Sequence, residues 1–507
     1  MTYPGQGNPN DPANNPQWQQ QSGPGQPTPP GQNWQPQQQW QQPQQQWQAG
    51  GQPPQGGQYQ PTAQFPQQQY QGQGQYQQVP PGGQPGGPQG PQQRKSKRGL
   101  IIGLVVALVA VLGGVATWIA LSLSGGDSGA DSPGEAAHTM LAAMQQGDVV
   151  GMMDSLAPAE AAVLSDMVTD HVNELKRIQV LDSSADPEDV SGVTIEETEE
   201  LVFDDSRAKK INDRLTMAAL VDGTLRVSSN FDDVPLAKSF KDAVITPAAR
   251  AELAKENIDQ TVDIGEAVKR SGQPLYIATV NVDGKWYPSL FYTAAYYAVQ
   301  DAGKEWPANP IPAVGADSPN AALMKLIDAI RTKDVQKVIE ILPPDEMAVL
   351  HDVGQLLVEE AGPPGQAPLP FDVTTLETDE EEVTGSTRLT LRKLEITVQT
   401  GSGPQQVGLV KDGDCYTVIQ NGRQQGMCAD DLGRMIRAEL EGMPPQASDA
   451  VAQIVQNLYT KSLGVVTVEV DGKHYVSPLR TYSDLGVTML KAVEPQHVQT
   501  LIEVFGR

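Results

Sequence analysis

The 507-residue chain changes its hydrophobic pattern three times. Residues 1–93 have no apolar period, residues 99–123 are uncharged and mostly apolar, and from Asp131 onward apolar positions first recur at helical spacing and later alternate. Ala137, Met140, Leu141 and Met144 fall at i, i+3, i+4 and i+7, the stripe of a helix with one buried face. Ser132 and Pro133 supply its N-cap and first helical residue, and Glu135 is placed to close a capping box. Val149, Met152, Met153 and Leu156 repeat that spacing after Asp148, which predicts a second capped helix, and a third is expected from Pro158. Methionines in such stripes are core filler. Further along the period drops to two. Asp283-Gly284 stands there between alternating Val and aromatic residues, the signal for a two-residue hairpin turn.

The whole succession occurs twice. Set against Asp317 onward at an offset of 186, the 36 residues from Asp131 give 14 identities without a gap. Among them are Ser132/Ser318, Asp148/Asp334, Pro158/Pro344, Glu160/Glu346 and Asp166/Asp352. At an offset of 188, T-V-N-V-D-G-K-W-Y-P-S from Thr279 parallels T-V-E-V-D-G-K-H-Y-V-S from Thr467. Leu323, Leu326, Ile327 and Ile330 repeat the first stripe; Val335, Val338, Ile339 and Leu342 repeat the second. Two copies of one domain are predicted, residues 131–305 and 317–495. A Pro-containing linker at 306–316 reads as short and stiff, and 496–507 is a C-terminal extension. Each copy runs helices first and antiparallel sheet second, an α+β class. A charged, mostly helical insertion interrupts the sheet near 248–269 and 430–463.

The 25 uncharged residues at 99–123 exceed the roughly 20 that cross a hydrocarbon core, so a transmembrane helix is predicted. Arg94, Lys95, Lys97 and Arg98 form a basic juxtamembrane cluster at 94–98, while Asp127 and Asp131 are the first charges beyond the run. The positive-inside rule then puts the N-terminus in the cytoplasm and both copies outside the cell membrane, with the lipid bilayer as a partner. The run is too long, and lies too far along the chain, for a cleaved signal peptide. Residues 1–93 hold 34 Gln, 19 Pro and 16 Gly, a composition that cannot bury enough apolar surface to fold. Trp18, Trp34, Trp40, Trp47, Tyr59, Phe65, Tyr70 and Tyr76 punctuate this tail, a pattern that favours weak self-association beside the simpler role of a solvated tether. The net charge of −26 divides as −1 in the tail, +4 in the basic cluster and −29 beyond, and an acidic exterior argues against nucleic-acid binding.

Catalytic signatures are sparse. The five histidines, at 138, 171, 351, 474 and 497, have no metal-ligand spacing, and His171 with Glu174 lacks a third partner. No nucleophile elbow or phosphate loop is present. Ser206 and Lys209 match S-x-x-K without the partner motifs that chemistry needs. The acidic stretches at 196–200 and 379–382 lack the alternation of a calcium loop and read as solvated sheet edges. No metal or cofactor is predicted. Cys415 and Cys428 flank the turn signal Asn421-Gly422 on the exterior side, which predicts a disulfide. Trp286, Tyr287, Phe291, Tyr292, Tyr296 and Tyr297 crowd into 12 residues of the first copy, whereas the second keeps only Tyr475 and Tyr482. These rings either fill a core or line a ligand pocket.

Helices followed by an antiparallel sheet with a closing V-D-G-K-W-Y-P-S or V-D-G-K-H-Y-V-S hairpin resemble domains of the nuclear-transport-factor-2-like fold. That resemblance implies a curved sheet wrapped as a cone around the helices, with a mouth that can hold a ligand. The layout as a whole also resembles actinobacterial single-pass envelope proteins with a Pro/Gln/Gly-rich cytoplasmic tail. The leading expectation is therefore a membrane-anchored, non-enzymatic protein whose exterior domains bind an apolar ligand or an envelope protein. An isomerase- or dehydratase-like enzyme using the first cone is the alternative, and a structural spacer is a third.

Overall fold

A computed structural model of the chain describes residues 129–144, 153, 155–187, 190, 192–247, 250, 253, 257–365 and 368–506. The tail, the basic cluster, the apolar run at 99–123 and the Asp148 cap lie outside the described residues. Among the described residues no helix is long and apolar enough to cross a membrane.

The first copy contains α1 (Pro133–Met144), α2 (Pro158–Arg177), β1 (Val193–Phe203), β2 (Lys209–Lys210), β3 (Leu215–Ser229), α3 (Lys238–Val244), β4 (Asp259–Asp263), α4 (Ile264–Ser271), β5 (Leu275–Val282), β6 (Lys285–Ser289) and α5 (Leu290–Asp301). The second contains α6 (Pro319–Thr332), α7 (Val335–Glu340), α8 (Ala348–Ala361), β7 (Phe371–Val383), β8 (Ser386–Thr400), β9 (Gly403–Asp412), β10 (Cys415–Gln420), β11 (Arg423–Cys428), α9 (Ala429–Glu439), α10 (Pro445–Lys461), β12 (Gly464–Val470), β13 (Lys473–Val476) and α11 (Pro478–Ala492), followed by α12 (Pro495–Phe505). The class is α+β, with helices packed on curved antiparallel sheets. Bulges between β1 and β3 and between β7 and β8 supply local bends.

The pairing order β1-β3-β5-β6 recurs as β7-β8-β12-β13. Registers agree residue by residue: Ala218 faces Ile277 as Leu389 faces Val465, and Val280 faces Tyr287 as Val468 faces Tyr475. The long strands β3 and β8 each divide one edge between a late strand, β5 or β12, and an inserted strand, β4 or β9. Buried threonines make the same ties twice. Thr279 donates to the Thr216 carbonyl at 2.8 Å and Thr467 to that of Thr387 at 3.2 Å, while the Ala278 and Val466 amides donate to Thr293 and Thr481, both at 2.9 Å. Both hairpins turn through left-handed pairs, Asp283-Gly284 at φ 50° and 85° and Asp471-Gly472 at 51° and 73°, conformations that a two-residue loop of this type needs.

Several expectations need revision. Glu135 closes its box on the Asp131 amide instead of that of Ser132, although Ser132 accepts from Glu135 as expected. The helix expected at Pro344 begins at Ala348, because the Met347 amide turns back to Pro343 and that of Ala348 to Asp345. Ile330, placed on a buried stripe, is exposed in the last turn of α6, where Lys333 ends the helix in a left-handed cap. The first insertion is not simply helical, since β4 lies in it, whereas α9 and α10 fill the second as expected, behind the added strands β9–β11. Nor is the linker a free spacer. Ile311 is buried there, donating to the His351 carbonyl at 2.8 Å and accepting from His351 Nδ1 at 2.9 Å.

The copies meet along a pseudo-two-fold seam in which α2 packs on α11 and α5 on α8. Arg480 reaches Asp166 at 3.1 Å, and its counterpart Tyr292 donates to Asp352, the counterpart of Asp166, at 2.7 Å. Apolar side chains cross the seam as well. Leu490 and, at its margin, Val493 and Ile502 join the core of the first copy, and Val349 packs with Met217, Tyr276, Tyr292 and Tyr296.

Candidate functional site

The aromatic cluster of the first copy disperses once folded. Tyr292 and Tyr296 project from α5 into the seam core with Tyr276, and Phe291 packs beside them. Trp286 and Tyr287 sit on β6 and cover the entry segment, Trp286 by a strand bridge to Ala130 and Tyr287 so close to Gly129 that a Cβ there would lie 2.4 Å from the ring. Tyr297 is exposed apart from its hydroxyl, which accepts from the Tyr276 amide at 2.8 Å. Most of these rings hold the fold together.

One edge of the cluster opens into a cleft of about 440 Å³ lined by Lys209, Ile211, Tyr296, Val299, Gln300, Gly303, Lys304, Glu305 and Trp306. Of the predicted set only Tyr296 lines it. Trp306 stacks on Tyr292 with ring centroids 6.1 Å apart and an interplanar angle of 27°, and so forms a wall. Sequence reasoning missed this residue as a site residue because it falls in a proline-rich stretch that read as a spacer. Lys209 also lines the cleft, its ammonium donating to the Tyr296 hydroxyl at 3.0 Å and lying 4.3 Å from the centre of the Tyr276 ring. The Tyr296 hydroxyl holds that ammonium above its ordinary pKa, against the effect of partial burial. The cleft thus offers a fixed cation beside apolar and aromatic walls.

The sheet and helix positions behind the cleft are ionic in the second copy. Met217, Tyr276 and Tyr296 correspond by register and offset to Arg388, Gly464 and Asp484. Arg388 and Asp484 pair at 2.9 Å, both largely buried, and Arg388 also donates to the Ser462 carbonyl and to Thr488. Burial pushes the Asp484 carboxyl up while Arg388 opposes it.

Both copies also bury a helix-capping carboxylate. Glu160 accepts from Ser289 Oγ and from the Leu290 amide, and burial raises its pKa to about 7. Glu346 accepts from Ser477 Oγ and from Arg480, each at 2.5 Å. Cys415 and Cys428 face each other across β10 and β11 and are joined by a disulfide, with Asn421-Gly422 as the turn. Ser206 of the S-x-x-K match lies in a short turn, its hydroxyl donating to Asp204 at 2.6 Å, while Lys209 points to the tyrosines. Among the described residues no group of three metal-binding side chains gathers.

Comparison with protein-family models, curated proteins and solved structures finds no match. The functional reading rests on the residues themselves.

Proposed function

We propose that the chain is a membrane-anchored exterior protein, of the envelope type it resembles, whose first copy holds a small ligand in the cleft between Tyr296 and Trp306. The observation that carries this reading is the contrast at one position of a shared scaffold. The first copy keeps a cleft with an aromatic wall, in the size range of small-molecule sites, and the second places a buried ion pair at the positions of Met217 and Tyr296. The disulfide supports placement outside the cytoplasm, where such bonds persist. The apolar run at 99–123 and its flanking cations support a single-pass anchor with the tail inside.

Full-length protein purified from its native envelope should release small molecules on denaturation that Trp306→Ala does not release, whereas Tyr482→Ala, altered at an exposed ring of the second copy, should match the wild type. Identical extracts from equally stable wild type and Trp306→Ala would overturn the binding reading. Protease added to intact cells should degrade the chain beyond Asp127 and spare the tail; the reverse pattern would overturn the topology.

A further inference from the structure

Building on the cleft as a binding site, we propose that its ligand is a small amphipathic anion, an aromatic or short aliphatic group bearing one carboxylate or phosphate, with the anionic end on Lys209 and the apolar end against Trp306.

In a chain with 61 acidic and 35 basic residues, the adjacent Lys210 pairs with Asp213, and Lys304, which lines the same cleft, pairs with Glu359. Among the described residues Lys209 pairs with none. Its ammonium has three donors, and the Tyr296 hydroxyl accepts from one of them. The phenol and the Tyr276 ring orient the cation without neutralising it. An oriented, unneutralised ammonium lining a cleft is a site for an anion.

The second copy shows what an internal solution looks like. Where the first copy has Tyr296, the second has Asp484, which supplies a carboxylate to Arg388 from within the fold. Lys209 itself comes from a connection that the second copy lacks. Residues 204–214 join β1 to β3, whereas Thr384 and Gly385 alone join β7 to β8. The first copy therefore gained a cation and holds an uncharged phenol beside it.

The remaining lining sets the size and charge of the partner. Ile211, Val299 and Trp306 are apolar, Lys304 is paired with Glu359, and Lys209 and Glu305 are left as the cation and the carboxylate of the lining. Lys209 matches one negative charge on the ligand, and the Glu305 carboxylate disfavours a second. Carboxylate and phosphate share this chemistry, and that balance favours the singly charged carboxylate.

The test is ¹⁹F NMR on the full-length protein in lipid nanodiscs, with 4-fluorophenylacetate, 4-fluorophenyl phosphate and the neutral 4-fluorophenethyl alcohol as probes. The carboxylate should bind with the phosphate weaker, and the alcohol should bind about tenfold more weakly or worse. Lys209→Gln should reduce carboxylate affinity to that of the alcohol and leave the alcohol unchanged, and Lys209→Arg should restore it. If the alcohol binds as well as the carboxylate and Lys209→Gln alters neither, the anion assignment is overturned while a Trp306-dependent cleft stands. Phosphate binding above carboxylate would overturn the single-charge preference. Absence of binding by every probe at millimolar concentration would overturn the assignment outright, with the extract comparison left to judge the cleft.

Discussion

The two copies share a backbone and disagree about polarity. Met217, Tyr276 and Tyr296 in one, and Arg388, Gly464 and Asp484 in the other, occupy matching places on the sheet and its following helix. The exchange is concerted. A Cβ on Gly464 would lie 2.7 Å from the Arg388 Cγ, so the arginine fits only because the tyrosine ring at that register is gone. The threonine ties and left-handed turns, which involve the main chain, are common to both copies. Backbone-level bonds fix the scaffold, and the side chains that face the seam are free to be apolar or ionic as a set. A buried ion pair is not inherently more stabilising than an apolar replacement of similar volume, so the change of polarity between the copies need not change the margin of stability.

The most disruptive way to break this comparison is to exchange one member without its set. Met217→Arg places a cation at a fully buried position with no carboxylate and should cost on the order of 5 kcal/mol. Arg388→Met strands Asp484 and should cost less, about 3 kcal/mol, with Arg388→Met/Asp484→Leu recovering most of the loss. Denaturant midpoints of the full-length protein measure all three, and equal costs for the two single changes would show that the copies are not poised differently.

A smaller, pH-dependent effect separates the two buried carboxylates. The pKa of Glu160 rises from 4.5 to about 7 in the folded chain, so the native state holds this proton more tightly than the unfolded one. Its stabilising contribution is complete below the unfolded value and is lost as pH rises through the folded value, a span of roughly 3 kcal/mol. Glu160→Gln should remove that part of the decline in thermal midpoint between pH 4.5 and about 7; a variant whose pH profile parallels the wild type would show that Glu160 is already ionised. Arg480 supplies Glu346 with a charge that Tyr292, at the equivalent position, does not supply to Glu160. The smallest effect is expected at Tyr292 itself. Tyr292→Phe deletes one hydrogen bond to Asp352, which keeps Arg214 at 3.8 Å, and should cost about 1 kcal/mol in the same denaturation assay.

What could be read from the sequence was local. The Ser132 and Ser318 caps, the Asp-Gly turns and the disulfide hairpin depend on residues a few positions apart, and fixed offsets exposed the duplication. The seam could not be read this way, because Asp166 and Arg480 are 314 residues apart and Tyr292 and Asp352 are 60 apart, with no periodicity to link them. The equivalence of Met217 and Arg388 was hidden by the longer β1–β3 connection, which changes the offset between copies. Aromatic density marked α5, where burial follows the seam, and of the six rings only Tyr296 lines the cleft, beside Lys209.

The seam also ties the order of synthesis to the completion of the first copy. Arg177 at the end of α2 donates to the carbonyls of Leu490 and Val493, 313 and 316 positions later, and Ile502 packs at the margin of the same core. While the second copy is still being made, the first has an open flank that its own residues do not cover. Contacts of such separation form late and slowly, so a chain emerging N-terminus first holds an unfinished apolar surface until α11 and α12 arrive. Completion of the first copy is thereby coupled to synthesis of the second, and a stall in translation within the second copy would leave the first prone to association.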